Sequence, residues 1–203
     1  LEKMEIFRSL VVSGKKIYVG SAFGKDTAVA VCGVGKVNAA LGTQLLVSKF
    51  DADKILNFGV AGGLNKNTEL CGVYQIKAAV QFDFDLVQLN GTQIGTLDEY
   101  TENYLRLSPF KAALKKKNLG TADRFNDSAE DYLLLTKELK ADIRDMEGAA
   151  IVQAAHAAQL PVYAVKAISD VAGSGSTTEQ YLQNRGRALE NLKSVLPELF
   201  DEL

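Results

Sequence analysis

The chain has 203 residues but only one histidine, two cysteines and three prolines. No apolar run approaches the roughly twenty residues that a membrane-spanning helix needs, and no charged-then-apolar leader opens the sequence. With His156 as the sole imidazole, neither a histidine-based metal cluster nor a Ser-His-Asp arrangement can be assembled, so no metal is expected and His156 reads as a packed or edge residue. Cys32 and Cys71 follow no ligand spacing and are too few for a disulfide scaffold, which makes a reduced, cytoplasmic setting the expectation. Charge of either sign is not in excess: 23 basic residues face 25 acidic ones, for a net charge of -2. The basic runs, Lys15-Lys16 and Lys115-Lys116-Lys117, are short, which argues against a nucleic-acid partner. Repeats, low-complexity tracts and linkers are also missing. A single domain over residues 1–203 is therefore expected, with enough chain for one substantial core.

What is present is an alternation of short β-rich runs and helical patterns. "KIYVGSAF", "TAVAVC", "KILNFGV", "GVYQIKAAVQF", "LGTAD", "ADIRDM" and "PVYAVKAIS" are rich in β-branched or aromatic residues and bounded by Gly, Asp or Pro, as strands are. Helical spacing marks 36–50, 108–118, 129–139 and 148–159. From Ala188 onward, leucines at three- and four-residue steps predict a final amphipathic helix that Pro197 kinks or restarts. This is an α/β pattern. Near-continuous apolar strands such as 162–168 predict a largely parallel sheet buried on both faces, with ligands beyond the carboxyl ends of its strands. The stretch 83–107 is the longest without a pattern, long enough for a binding or interface loop.

Four places carry possible chemistry. "CGVGKVNAA" sets Gly33 and Gly35 before a helix whose first turn holds Lys36, where free N–H groups can cradle an anion. Its spacing matches neither the dinucleotide nor the P-loop fingerprint, so a tight strand-to-helix turn is the simpler reading. "NFGVAGGLN" ends another strand in glycines and reads equally as a turn or as a place where a ligand meets backbone. Glu147 stands in the first turn of a helix, where a carboxylate is favoured by the helix dipole; Asp170 stands before Gly173, as a turn-former would. Each also follows an apolar strand, so both belong on the ligand-bearing edge of the sheet. Two acids converging there suit cleavage of an N-ribosyl bond, which needs a proton donor for the leaving base and negative charge near the sugar as it becomes cationic.

Taken in order, "GVGKVNAA", "NFGVAGGL", "TADRFND", "DMEGAAI" and "KAISDVAG" resemble the nucleoside phosphorylase superfamily, and most nearly its 5'-methylthioadenosine/S-adenosylhomocysteine nucleosidases. The resemblance runs from about Leu1 to the C-terminus. It implies a three-layer αβα fold whose central mixed sheet curls towards a barrel, a homodimer, no cofactor, and hydrolysis of an adenine nucleoside to adenine and a thioribose derivative.

Position by position, the resemblance makes Asp170 the general acid at purine N7, supported by Ser169, and makes Glu147 the partner of the ribose hydroxyls, with Met146 against the ribose. Phe125 is implied to stack on adenine, Asn126 to offer backbone to the base edge, and Val60, Ala61 and Gly62 to line the ribosyl side. Leu86 and Leu89 fall where apolar residues of a partner subunit cover a 5'-alkylthio group. Val60 stands where the family commonly has a small polar residue and Lys166 where it has an arginine, which removes a planar bidentate contact. The family opens with a strand and a water-activating glutamate that precede the segment matching Leu1. The chain is accordingly expected to open on a helix, "LEKMEIF", with Glu2 and Glu5 exposed on it, and to bind nucleosides better than it cleaves them. Two alternatives stay open: a purine nucleoside phosphorylase, which would need donors arranged for phosphate, and a nucleoside-binding homologue with impaired catalysis.

Overall fold

In the computed structural model, residues 1–65, 67–125 and 128–203 are described. The N-terminal segment is a strand, not the expected helix. β1 (Met4–Val12), β2 (Lys15–Ala22) and β3 (Lys25–Val31) form an antiparallel sheet of three strands. Two tight turns dictate this: Ser13-Gly14 and Phe23-Gly24 all have positive φ, which suits the right-handed twist of a two-residue hairpin. Glu2 and Glu5 are exposed, as expected, but Glu5 lies on β1.

The second sheet holds β4 (Ile55–Gly63), β5 (Val73–Gln81), β6 (Leu105–Arg106), β7 (Lys116–Thr121), β8 (Ile143–Asp145) and β9 (Val162–Val171) in the order β6-β5-β7-β8-β4-β9. A further pairing of β5 with β9 closes five of these strands into a ring. The sheet is mixed rather than largely parallel: β5–β7, β7–β8 and β4–β9 run parallel, whereas β4–β8, β5–β9 and β5–β6 run antiparallel.

Helices cover both faces of the long central strands. On one side, α1 (Lys36–Phe50) and α4 (Gly148–Ala157) pack Leu46, Val47, Ala149, Val152 and Ala155 against Ile55, Ala61, Ala164 and Ile168. On the other, α5 (Thr177–Glu202) sets Ala188, Leu192 and Leu199 against Val165 and Ala167. α5 begins eleven residues before the apolar pattern does, because Ser176 caps it by accepting from the Glu179 N–H at 3.3 Å, and it runs on through Pro197.

The helix expected at 108–118 is not there. Its backbone groups are taken by side chains from elsewhere. Gln75 donates to the carbonyls of Ala112 and Leu114 and accepts from the Phe110 N–H, while the Glu202 carboxylate accepts from the N–H groups of Lys111 and Ala112. Lys117 then enters β7 as a buried residue, 3.7 Å from Asp142 and over the Tyr74 ring. The pattern at 129–139 splits into α3 (Ala129–Leu133) and a turn of π-helix (Leu134–Glu138). Residues 83–107 stay largely irregular, with a short exposed helix, α2 (Val87–Asn90). No described helix is long and apolar enough to cross a membrane.

Candidate active site

Near the carboxyl ends of β4 and β9, Gly62 pairs with Arg144 of the antiparallel β8, and α4, which follows β8, meets the N-terminus of α1; Asp170 lies on β9 and Glu147 between β8 and α4. Glu147 occupies the N-cap position of α4 but makes no side-chain capping bond. That work falls to Asp145, whose carboxylate accepts from the Gly148 N–H at 3.0 and 3.1 Å and from the Glu147 N–H at 3.3 Å. Asp145 also accepts from the Thr121 hydroxyl at 2.7 Å and forms an ion pair with Lys166 at 2.9 Å. Both side chains of the pair are nearly sealed from solvent, at 2% and 3% exposure. Charge-assisted bonds from two amides, a hydroxyl and an ammonium therefore fix the first turn of α4.

Relieved of capping, Glu147 turns across to α1. Its Oε1 accepts from the Gly35 N–H at 2.9 Å. Burial pushes its carboxyl above the usual range; the Gly35 N–H opposes that, the nearby Asp145 adds to it, and Lys166 counters. Beside it, the Lys36 N–H donates to Asp123 Oδ1 at 2.7 Å, and Lys36 Nζ pairs with Asp83 at 2.6 Å. Gly35 must be glycine: its φ is +98°, and a Cβ there would sit 3.0 Å from Asp123 Oδ1. An open cavity of about 240 Å³ is lined by Val34, Gly35, Lys36, Val37, Asn38, Asp123 and Met146.

Asp170 is buried two strands from β8, with Oδ2 accepting from the Ser169 hydroxyl at 2.8 Å. A bulge between Ala61 and Gly62 brings Gly62 opposite Asp170, and a Cβ at Gly62 would lie 2.8 Å from Asp170 Oδ1. The glycine thus lets the acid approach backbone closely, leaving a flat strip beside it. Phe125 stands at half exposure, edge-on to Tyr181. Asn126 lies outside the described residues.

Other expected site residues go elsewhere. Ala61 is core, and its carbonyl accepts from Ser169 Oγ at 3.4 Å. The Val60 side chain packs with the layer under α5. Lys166 does not line the cavity: besides Asp145 it donates to Asn57 Oδ1 at 3.3 Å, so it acts beneath the site. Leu86 and Leu89, expected to act across a subunit interface, lie at the start of and within α2, where Leu89 is 79% exposed. Reading the sequence missed Asp145, Asp123 and Asp83. The only signal for Asp145 was its place two residues before Glu147, the spacing that lets one acid cap the helix and the other leave it. Among the described residues no group of three or more His, Cys, Asp or Glu is placed to hold a metal ion.

The profile of the phosphorylase superfamily matches residues 1–201. A 5'-methylthioadenosine/S-adenosylhomocysteine nucleosidase from Marinomonas sp. (strain MWYL1) is 32% identical over 192 residues, covering 87% of this chain and 82% of that protein. The nucleosidase of that name from Colwellia psychrerythraea 34H, solved in complex with adenine, is 26% identical and superposes with a TM-score of 0.80 over 94% of this chain and 86% of that one. The Helicobacter pylori nucleosidase, 24% identical, shares the fold with a TM-score of 0.91 over the whole of this chain and 92% of its own. The chain belongs to the phosphorylase superfamily and, within it, to the 5'-methylthioadenosine/S-adenosylhomocysteine nucleosidase family.

Proposed function

We propose that the protein hydrolyses the N-glycosidic bond of an adenine nucleoside, 5'-methylthioadenosine or S-adenosylhomocysteine, releasing adenine and the thioribose derivative. Asp170 gives its proton to N7 as the C1'–N9 bond breaks, the water oxygen bonds to C1', and Asp170 is reprotonated from solvent. Glu147 holds the ribose hydroxyls through the oxygen not bound to Gly35 and faces the sugar as it gains positive charge. Its charge counts for more because the carboxyl itself is largely withdrawn from water. Met146 packs against the ribose, Phe125 supplies a face for the base, and Gly62 leaves room for it. With both acids committed, the proton that the attacking water loses passes to solvent, which balances the one that Asp170 takes back.

The observation that carries hydrolysis over phosphorolysis is the state of the α1 N-terminus. A helix entrance with free N–H groups and a lysine is where a phosphate would be held. Here the Gly35 and Lys36 N–H groups are bound to Glu147 and Asp123, and Lys36 Nζ to Asp83. Three carboxylates of the chain itself fill the cradle, and a phosphate dianion brought there would face them. Adenine release from 5'-methylthioadenosine, followed with and without millimolar phosphate, tests this. Rates independent of phosphate with free thioribose as product are expected; a ribose 1-phosphate product would overturn it.

The reading includes a homodimer. Val34, Val37 and Leu41 are exposed at and below the cavity mouth, and Val87 and Leu89 are exposed on α2. A partner's α2 laid over the mouth would bury these apolar groups and cover a 5'-alkylthio substituent.

A further inference from the structure

Asp170 stands just past an interruption in its own strand. Ile168 pairs with Ala61 and Asp170 with Gly62, so Ser169 is an extra residue on β9 and the parallel ladder to β4 is broken immediately before the acid. A bulge of this kind bends a strand and disrupts its hold on the neighbour. On the opposite edge of β9, backbone cover from the β5 side ends, among the described residues, with the bonds that Ile168 makes to Cys71 and Gly72. Beyond Val171 the chain passes through Gly173 and Gly175, with φ of +80° and +102° and nothing within 4 Å of where a Cβ would stand. Neither the ladder behind the acid nor the turn after it is a firm support.

The support comes from a side chain. Gln180, in the first turn of α5, accepts from the Val171 N–H through Oε1 at 3.1 Å and donates from Nε2 to the Val171 carbonyl at 3.2 Å. Its Nε2 also reaches the Gly175 carbonyl at 3.5 Å, which ties the two ends of the turn together. A primary amide carries an acceptor and a donor side by side, the pair that a neighbouring strand would offer. Because the Ala172 N–H donates to the Gly63 carbonyl, the backbone groups of Val171 point away from β4, and Gln180 closes that open edge. The helix that carries it is itself anchored: Ser176 caps it, Asn191 donates to the Cys71 carbonyl at 2.9 Å, and Ala188 and Leu192 lie in the core.

We propose that Gln180 is a positioning residue for the proton transfer: it holds the end of β9 past the bulge, so that the Asp170 carboxyl is in place when the glycosidic bond breaks. The inference rests on the assignment of Asp170 to N7 of the base. A general acid has to lie within hydrogen-bond reach of the atom that it protonates. Displacing such a group by about 1 Å can cost about a hundredfold in rate. The Ser169 hydroxyl, 2.8 Å from Asp170 Oδ2, cannot supply the fixed point, because Ser169 is the bulged residue itself. Gln180 acts only through backbone, its amide being spent on Val171 and Gly175.

The test is a double-mutant cycle on adenine release from 5'-methylthioadenosine. Gln180→Met keeps the unbranched length and loses both bonds to Val171; it is made in the wild-type chain and in Asp170→Asn, with single-turnover rates followed over hours for the slow variants. In the wild-type background Gln180→Met should lower the rate by about tenfold to a hundredfold while KM stays within about threefold. In Asp170→Asn, which has no proton to place, the same substitution should change the remaining rate by less than about twofold. A glutamine that only stabilises the fold would cost the same factor in both backgrounds, and that result overturns the proposal, as does a folded Gln180→Met protein that turns over like wild type. Should circular dichroism show Gln180→Met unfolded, the cycle is run with Gln180→Glu, which still accepts from the Val171 N–H but cannot donate as a carboxylate; a loss confined to the background with Asp170 supports the proposal, and an equal loss in both, or none, refutes it. These results leave the nucleosidase reading intact. No adenine release by wild type would overturn that reading, and wild-type-like turnover by Asp170→Asn the role of Asp170, and each would take this proposal with it.

Discussion

Replacing Lys166 with methionine isolates what the buried pair beneath the site contributes. Methionine matches the length of the lysine stem and is at home in a core, so packing changes little. Charge changes a great deal. Asp145 would be left almost fully buried with its ion-pair partner, now 2.9 Å away, removed. Breaking a buried pair from one side costs about 3–5 kcal/mol. Asp145 keeps its bonds from Thr121, Glu147 and Gly148, which places the expected loss near the lower end, about 3 kcal/mol. For a chain of 203 residues that corresponds to a fall in Tm of about 6–12 °C. The double variant Lys166→Met/Asp145→Asn should recover most of the loss, since asparagine still accepts from the helix amides and no unpaired charge remains.

Urea unfolding at pH 7 measures the cycle, provided the slope against denaturant is common to all four proteins. A Lys166→Met protein within about 1 kcal/mol of wild type, or a double variant as unstable as the single one, would refute the reasoning. The same proteins report on function. If the capping network sets the place of Glu147, the folded single variant should show a raised KM for 5'-methylthioadenosine along with its lower stability, and the double variant should recover both.

Asp170→Asn should lower kcat by about a hundredfold to ten-thousandfold while nucleoside binding survives, because an amide cannot protonate N7; a variant with near-wild-type turnover would remove Asp170 from the role. For Glu147 the sign runs against the usual carboxylate case: a carboxyl raised by burial keeps its proton longer in the folded chain than in the unfolded one, so the stability it contributes is present below the ordinary glutamate range and lost as pH rises through the raised value. Glu147→Gln should therefore gain in Tm relative to wild type as pH climbs from about 4 through that window, even as it loses activity, and parallel pH–Tm curves would contradict this. Leu89→Asp should weaken self-association and raise KM together, and a wild-type protein that sediments as a monomer at micromolar concentration would dispose of the shared pocket.

The elements legible in the sequence are those whose local signals agree with their packing. The helix at 36–50 and the strands of β4, β5 and β9 are bounded by Gly, Asp or Pro and carry apolar residues that end up in the core. Where local preference and long-range bonding disagree, long-range bonding decides. "FKAALKKKN" has the composition of a helix, yet Gln75, 35 residues or more away in sequence, and Glu202, at least 90 away, take the backbone groups that a helix would have used. "LEKMEIF" likewise has helix formers, but the Ser13-Gly14 turn that follows commits it to a hairpin. That turn was readable; the clamps on 110–112 were not, since no local pattern connects residues so far apart.

The site was legible to the extent that its residues follow strands. Asp170 lies near the end of β9 and Glu147 two residues beyond β8, and both strands pair with β4 at Gly62. What stayed hidden is the division of labour around Glu147. A carboxylate at a helix N-terminus is a cap unless something else caps the helix, and only the fold shows that Asp145 does so while Glu147 reaches 112 residues back to Gly35. The same contact settles the reading of "CGVGKVNAA". It is the tight strand-to-helix turn of the simpler reading, and two of its amides are bound by carboxylates of the chain itself. Carboxylates covalently fixed there compete with any phosphate for the same amides, which is why the proposed reaction is expected to be independent of phosphate; the two side chains, Glu147 and Asp123, are not near the glycines in sequence.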